Sequence, residues 1–149
     1  MKFLVDSPLG KLAKFLRACG FDTEYFGGMS AFALVKRAQQ EKRTVITTNP
    51  KLSENPPIKV VMVKEGKPKS QLQTVIEALN INLATENFFS RCLLCNTEVE
   101  KIDGEKAKDL VPLKVFETFS EFWHCPKCDK IYWHGSHWEN MKKRIFLKG

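Results

Sequence analysis

The stretch KFLVDSPLGKLAKFLRACGFDTEYF, residues 2–26, holds two short apolar segments on either side of a helical pattern. The first segment, residues 2–5, has the length of a buried strand and ends at Asp6, before a turn that contains proline and glycine. Between residues 11 and 19 the apolar side chains recur at intervals of three and four residues, which predicts a helix. Residues 23–26 then predict a second strand. The whole stretch therefore indicates a strand–helix–strand unit.

The same alternation continues along the next 50 or so residues of the chain, judged by apolar periodicity and helix caps. The predicted elements are, in order, a helix over 31–42 capped by Ser30, a β-branched strand over 44–48, a strand over 59–63 and a helix over 71–79 capped by Ser70. Strands that alternate with helices in this way predict an α/β fold, with a small parallel sheet and helices packed on it.

A parallel sheet brings the carboxyl ends of its strands to one edge, and such sheets bind ligands in the crevice beyond that edge. In this chain the predicted strand ends hold Asp6, the loop of residues 27–30, and Thr48 with Asn49. The first helix adds basic residues at positions i, i+3 and i+6, which would flank the crevice and meet phosphates. These basic residues are Lys11, Lys14 and Arg17. A solvated helix face is the alternative interpretation of this basic row.

Two C-x-x-C motifs, CLLC at 92–95 and CPKC at 125–128, are the strongest chemical signal in the chain. Two residues between cysteines let both thiolates reach one ion from a tight turn, and zinc prefers four such ligands in a tetrahedron. The candidate ligands of one structural zinc ion are Cys92, Cys95, Cys125 and Cys128. A redox role for the two pairs is the alternative, but the surrounding sequence predicts no thioredoxin-like unit.

The region around the cysteines has the layout of a zinc ribbon. Short strands are predicted at 111–116, 119–123 and 131–133, and Asn96 and Asp129 follow the two motifs as suits turns with unusual backbone angles. Because regular periodicity fades near residue 85, the predicted domains are 1–88, the parallel-sheet domain, and 89–149, the zinc ribbon.

The chain is basic: among 149 residues it has 24 Lys and Arg against 17 Asp and Glu, a net charge of +7. Such an excess favours a polyanionic partner, either nucleic acid or an acidic protein surface. Residues 1–90 hold 13 of the basic and 8 of the acidic residues, so most of the excess lies in the first predicted domain. We expect a cytoplasmic protein without a membrane partner, because no secretory signal and no apolar run of about 18 residues is recognisable.

The segment YWHGSHW, residues 132–138, concentrates aromatic side chains beside the second cysteine pair. Aromatic rings stack on unpaired bases, and neighbouring cations contact phosphates. The candidate nucleic-acid-binding residues of this region are Arg91, His134, His137 and Trp138. Equally, the rings would serve as the small core of the zinc ribbon and its contact with the first domain. Both interpretations stay open at this level.

Four segments together resemble the Mut-seven-type C-terminal RNase family. They are FLVDSPLGKLAKFLRACGFDT (3–23), TVITTN (44–49), RCLLCN (91–96) and CPKCDKIYWHGSHWENM (125–141), and they follow the order of the family over nearly the whole chain. The resemblance implies a PIN-like, Rossmann-like nuclease domain followed by a zinc ribbon. It also implies metal-dependent cleavage of RNA by carboxylates that hold magnesium or manganese.

Carried over by position, the resemblance leaves Asp6 as the only matched carboxylate of three. The second acidic position holds Ser30 and Ala31, and the third holds Asn49. Because Asn49 brings a carbonyl oxygen but no charge, magnesium or manganese would bind weakly at Asp6. Asp22 precedes its predicted strand and is expected to lie away from the crevice, and Glu24 and Glu54 are candidate stand-ins that the pattern does not place.

Three functions from different classes follow from these observations. The preferred one is an RNA-binding protein with a largely degenerate acidic metal site. The second is an active metal-dependent ribonuclease that uses Asp6 and other acids, and the third is a protein-interaction module with a basic surface. Metal-dependent cleavage separates the second from the first. Salt-sensitive RNA binding separates both from the third, because phosphate contacts release counterions.

Overall fold

The computed structural model describes residues 1–28, 30–54 and 58–146. The strands are β1 (Lys2–Asp6), β2 (Asp22–Phe26), β3 (Thr44–Thr47), β4 (Val60–Met62), β5 (Glu100–Ile102), β6 (Phe122–His124) and β7 (Ile131–Tyr132). The helices are α1 (Gly10–Ala18), α2 (Ala31–Glu41), α3 (Pro68–Leu79), α4 (Gly104–Ala107), α5 (Leu113–Thr118) and α6 (Ser136–Phe146). Within the described residues, no helix combines the length and apolar character that crossing a membrane requires.

The first four strands form a parallel sheet in the order β2–β1–β3–β4, which confirms the predicted α/β class. Successive side chains of β1 point to opposite faces of the sheet, as strand geometry requires. Phe3 and Val5 share a buried cluster with residues of α1 and α3, whereas Leu4 packs on the other face with residues of α2. The sheet is therefore covered by helices on both faces.

The chain leaves the two central strands towards opposite faces of the sheet. After β1 it runs into α1 on one face, and after β3 a 3-10 turn at Pro50–Glu54 places Leu52 in the cluster on the α2 face. Neighbouring strands with opposite exits form a topological switch point, where open α/β sheets bind ligands. The carboxyl ends of β1 and β3 are this point.

Of the two predicted helix caps, one is confirmed and the other is wrong. Ser30 caps α2 by accepting a hydrogen bond from Ala33 N at 3.2 Å, and Gly20 follows α1 with a φ of 94°. The prediction that Ser70 caps the third helix is wrong, because α3 already begins at Pro68. Proline is favoured in the first helical turn because its missing N–H is not needed there.

The second sheet is antiparallel, in the order β5–β6–β7, and it carries a small core of its own around Phe122. The strand predicted at 111–116 is instead the helix α5, with Pro112 at its N-cap. The adjacent Val115 and Phe116 both pack on this core, which a helix permits, whereas neighbouring side chains of a strand point to opposite faces.

The helix α6, which sequence periodicity had not predicted, returns the chain to the first sheet. Its Trp138, Met141 and Ile145, spaced by three and four residues, pack on the same buried cluster as Phe3 and α1. Phe88 and Phe89, at the predicted boundary between residues 88 and 89, belong to this cluster as well. The boundary itself stays a prediction.

Candidate functional site

The four cysteines come together in space as predicted. The ligand atoms of Cys92, Cys95, Cys125 and Cys128 all lie within 4.8 Å of one another, and the sulfurs of Cys95 and Cys125 are 3.4 Å apart. Sulfurs bound at about 2.3 Å to a tetrahedral ion are about 3.8 Å apart. The cluster therefore has the dimensions of a closed four-sulfur metal site, which leaves no coordination position open for substrate.

The two cysteine pairs share one backbone geometry. In the first, Cys92 N donates to Thr97 O and Asn96 N donates to Cys92 O. In the second, Cys125 N donates to Lys130 O and Asp129 N to Cys125 O. The predicted unusual backbone angles are confirmed, since φ is 74° at Asn96 and 60° at Asp129.

The chemistry of the cysteine cluster suits a metal cation. Partial burial raises the pKa of the Cys95 thiol, but hydrogen bonds from Thr97 outweigh this effect and bring its pKa to about 6. Without a cation, hydrogen bonding to Cys95 raises the pKa of Cys128 to about 12. Such an array therefore becomes fully deprotonated only when a cation displaces the remaining protons.

The switch point of the parallel sheet carries Asp6, at the end of β1. Thr47, at the end of β3, donates its hydroxyl to Asp6 Oδ2 at 2.9 Å. The same hydroxyl accepts a hydrogen bond from Asn49 N at 3.0 Å. Asp6, Thr47 and Asn49 thus form one short chain of hydrogen bonds across the ends of the two strands.

Asn49 and Ser30, at the other two matched positions, both accept hydrogen bonds from nearby backbone N–H groups. Asn49 Oδ1 accepts a hydrogen bond from Lys51 N at 3.1 Å, at the start of the 3-10 turn. The Ser30 hydroxyl caps α2. Met29, in the predicted crevice loop, lies outside the described residues.

An open cleft of about 520 Å³ lies beside the switch point. Its walls include Lys11 at the start of α1, Thr48 after β3, and Glu65 and Gln71 beyond β4. The cleft wall therefore carries both a lysine and a carboxylate. Glu65 comes from a loop that the sequence pattern had not connected with Asp6, because only the parallel pairing of β3 with β4 brings that loop to this edge.

The other acids that the resemblance left unplaced lie elsewhere. Asp22 and Glu24 accept hydrogen bonds from the Asn96 side chain at 2.7 and 3.2 Å, at the opposite end of the sheet and along its edge strand. The side chain of Glu54 is outside what the structure describes. Among the described residues, the cysteine cluster is the only group of three or more Cys, His, Asp or Glu close enough to share one ion.

The basic row predicted on α1 is corrected at one residue. Lys11 and Lys14 are exposed, but Arg17 is buried, and its guanidinium donates to Thr23 O at 2.8 Å and Leu93 O at 2.9 Å. Arg17 lies on the side of α1 that faces the first cysteine pair. Its charge is therefore not available to a phosphate on the surface.

The aromatic segment forms an internal stack. The His134 ring lies 4.3 Å from both Trp123 and Trp138, with interplanar angles of 15° and 16°. Burial lowers the pKa of His134, so the stacked ring is neutral at pH 7. Lys142 covers Trp138, with Nζ 4.7 Å from the ring centre. His134 is exposed and Trp138 is half-buried, so the two rings stack and part of this stack stays accessible. Their contact with nucleic acid stays a prediction.

The two remaining candidate residues keep partial access to solvent. Arg91 is half-buried and donates to Asn96 O at 2.9 Å and to Glu98 Oε1 at 3.3 Å. His137 is exposed and meets the edge of Phe89, with ring centres 6.4 Å apart. Their contact with nucleic acid stays a prediction.

A family model described as the Mut7-C RNAse domain matches residues 1–145. No curated protein and no solved structure matches the chain.

Proposed function

This chain belongs to the Mut7-C RNAse domain family, and from that premise we propose that it is an RNA-binding protein whose acidic metal site is largely degenerate. The family supports an RNA-related nuclease role in general terms. The proposal adds that the crevice holds RNA more readily than it cuts it.

The surroundings of Asp6 carry the proposal. A cleavage site of this class needs two or three carboxylates around one or two divalent ions. Asp6 is hydrogen-bonded to a hydroxyl, and the matched position at Asn49 presents an amide whose oxygen is occupied by Lys51 N. With one negative charge, the site has little attraction for a divalent ion and little repulsion for a phosphate.

The basic residues near the cleft supply the attraction for RNA. Lys11 lies on the cleft wall, and Lys14 follows one turn later on the same exposed side of α1. Arg91 and His137 are the further candidates on the second domain. Arg17 is left out of this surface because it is buried.

We further propose that the ion of the cysteine cluster is zinc and that its role is structural. Four thiolates are the donor set that selects zinc in closed sites. The ion would order the two cysteine pairs and the residues between them, because small modules of this kind depend on their metal for folding.

Glu65 favours a second candidate function, an active ribonuclease. Its position on the wall of the cleft allows a second carboxylate to approach the switch point when a cation and RNA are present. In that case Asp6 and Glu65 would hold magnesium or manganese, and cleavage would depend on both residues.

The test is incubation of zinc-loaded protein with labelled single-stranded and structured RNA, with and without magnesium or manganese. We expect no cleavage, together with binding of the same RNA that weakens as salt rises. Metal-dependent cleavage that disappears in Asp6→Ala and Glu65→Gln would overturn the proposal in favour of the active enzyme. Failure to bind RNA at low salt would leave an acidic protein as the partner to test.

An Asn49→Asp variant sharpens the same test. It adds a second carboxylate at the switch point without changing side-chain size, and aspartate can still accept the hydrogen bond from Lys51 N. We expect manganese-dependent cleavage to appear in this variant, whereas Asn140→Asp, an equal charge change at an exposed position of α6, leaves the protein inactive. If the two variants behaved alike, the missing carboxylate would not explain the lack of cleavage.

A further inference from the structure

Two polar residues that the proposed function does not use lie buried between the parallel sheet and the cysteine cluster. Arg17, on α1, is 7% exposed, and Asn96, which follows the first cysteine pair, is 4% exposed. Burying such groups is unfavourable unless each is hydrogen-bonded and, for the arginine, its charge is balanced. Their partners therefore indicate what they do.

Arg17 connects α1 to both sides of this contact. Its Nε donates to Thr23 O of β2 at 2.8 Å, and its Nη1 donates to Leu93 O at 2.9 Å. Leu93 lies between Cys92 and Cys95. The guanidinium of Arg17 thus hydrogen-bonds both to the backbone of β2 and to the backbone of the first cysteine pair.

The charge of Arg17 has no close carboxylate partner within the described part of the chain. Glu24 is paired with Arg37 at 3.7 Å. Burial lowers the pKa of Arg17, and the negative groups that oppose this effect are Glu24 first, followed by the thiolates of Cys92 and Cys95. Four thiolates around a divalent cation carry a net charge of −2, which the guanidinium partly offsets.

Asn96 makes a second connection to the same strand. Its Oδ1 accepts a hydrogen bond from Thr23 N at 2.8 Å, and its Nδ2 donates to Asp22 Oδ1 at 2.7 Å and Glu24 Oε1 at 3.2 Å. All three bonds reach β2. Asn96 makes these bonds from a backbone with a positive φ of 74°.

Among the described residues, the second cysteine pair forms the same turn without side-chain hydrogen bonds to the parallel sheet. Asp129 occupies the position of Asn96, with a φ of 60° and the same backbone hydrogen bond to its cysteine. Its side chain is 87% exposed and contacts His124 of the same domain. The turn therefore does not require the side-chain bonds of Asn96, and these bonds instead connect the first cysteine pair to the parallel sheet.

We propose that Arg17 and Asn96 are positioning residues of the metal centre, which fasten its first cysteine pair to α1 and β2 so that metal binding orders this edge of the parallel sheet. The inference rests on the proposed zinc site and is independent of RNA binding.

The experiment compares Asn96→Gly with Asp129→Gly in the full chain. Glycine accepts positive φ, so each variant removes a side chain at an equivalent turn without straining the backbone. Two quantities are measured: zinc affinity, by competition with a chromogenic chelator, and amide hydrogen exchange of residues 12–26, with zinc and after its removal. A near-ultraviolet circular dichroism spectrum verifies that each variant is folded.

In the wild type and in Asp129→Gly, we expect zinc to slow exchange in residues 12–26. In Asn96→Gly this zinc-dependent protection should be lost, and zinc should bind about tenfold more weakly, the lower end of the range for residues that orient metal ligands. Arg17→Met should weaken zinc binding similarly, and Arg17→Lys, which retains the charge, should recover part of it.

Two results would overturn the inference. One is Asn96→Gly protein that still shows the full zinc-dependent protection of residues 12–26. The other is an equal loss of zinc affinity and protection in Asn96→Gly and Asp129→Gly, which would assign the effect to the turns of the cysteine pairs alone. If the wild type bound no zinc, the proposed metal centre would fail together with this inference, while the RNA-binding assays would still decide the proposed function.

Discussion

Gly20 and Gly28 both have positive φ angles, 94° and 79°, yet their surroundings differ. A Cβ built on Gly20 would lie 2.5 Å from Asn87 O and 2.9 Å from Asn87 Cβ, whereas a Cβ on Gly28 meets nothing within 4 Å. Gly20 therefore allows the segment leading to the cysteine cluster to pass directly over the end of α1. This is a requirement of packing as well as of backbone conformation.

Alanine at each position separates these two requirements. Gly28→Ala should cost about 1 kcal/mol of unfolding free energy, the strain of a left-handed residue with a Cβ. Gly20→Ala should cost about 3 kcal/mol, because the backbone of Asn87 must also move. Urea unfolding of the two variants measures the difference. Equal costs would mean that the contact with Asn87 adjusts freely.

The start of β2 is held by charged groups from neighbouring elements. Arg43, just before β3, donates to Asp22 Oδ1 at 2.8 Å and to Glu41 Oε1 at 2.6 Å, the latter at the end of α2. Burial raises the pKa of Asp22, but the hydrogen bonds from Arg43 and Asn96 outweigh this effect and leave its pKa below the usual value. This junction therefore stabilises the fold only while the carboxylate is ionised.

The pH dependence of stability follows from the sign of this shift. Because the folded pKa of Asp22 is lower than the unfolded one, its contribution is present above about pH 4 and is lost as the pH falls through the folded value. We expect Asp22→Asn to lower the unfolding free energy by about 2 kcal/mol at pH 7, the contribution of hydrogen bonds to a charged group. The difference from the wild type should shrink below about pH 4.

Urea unfolding at pH 7 and pH 3 tests this expectation, with Asp109→Asn as the control at an exposed position. The control should differ little from the wild type at either pH. An Asp22→Asn protein whose deficit persisted unchanged at pH 3 would show that shape, and not charge, determines the effect.

At the scale of the whole molecule, exposed basic residues lie on both faces of the parallel sheet. Lys11 and Lys14 are exposed on α1, beside the cleft at the switch point. Lys36 is exposed on α2, which covers the opposite face. If RNA occupies the cleft, only the first two contribute to binding.

Salt dependence of RNA binding measures this contribution. For single-stranded RNA, each phosphate contact adds about 0.7 to the slope of log affinity against log salt. Lys11→Gln and Lys14→Gln should each reduce the slope by about this amount, and Lys36→Gln should leave it unchanged. An equal reduction of the slope in all three variants would indicate that RNA is attracted by the overall charge and does not bind at a defined site.

Several features of this protein were predictable because they depend on residues close together in the chain. Apolar periodicity predicts β1, α1 and β2, the serine before α2 predicts its cap, and the spacing of the two C-x-x-C pairs predicts the cysteine cluster. The positive φ of Asn96 is likewise a local preference of an asparagine in a tight turn. Each of these signals requires no knowledge of what packs on it.

Tertiary structure alone decided the direction of the polar side chains. Arg17 follows the same spacing as Lys11 and Lys14, but it is buried because its guanidinium meets Leu93 O, 76 residues further along the chain. In the same way, Asn96 finds its partners 72 to 74 residues away on β2. Helical periodicity determines which residues share a face, but whether a charge on that face meets solvent depends on the segment that later packs against it. In this protein the segment is the first cysteine pair.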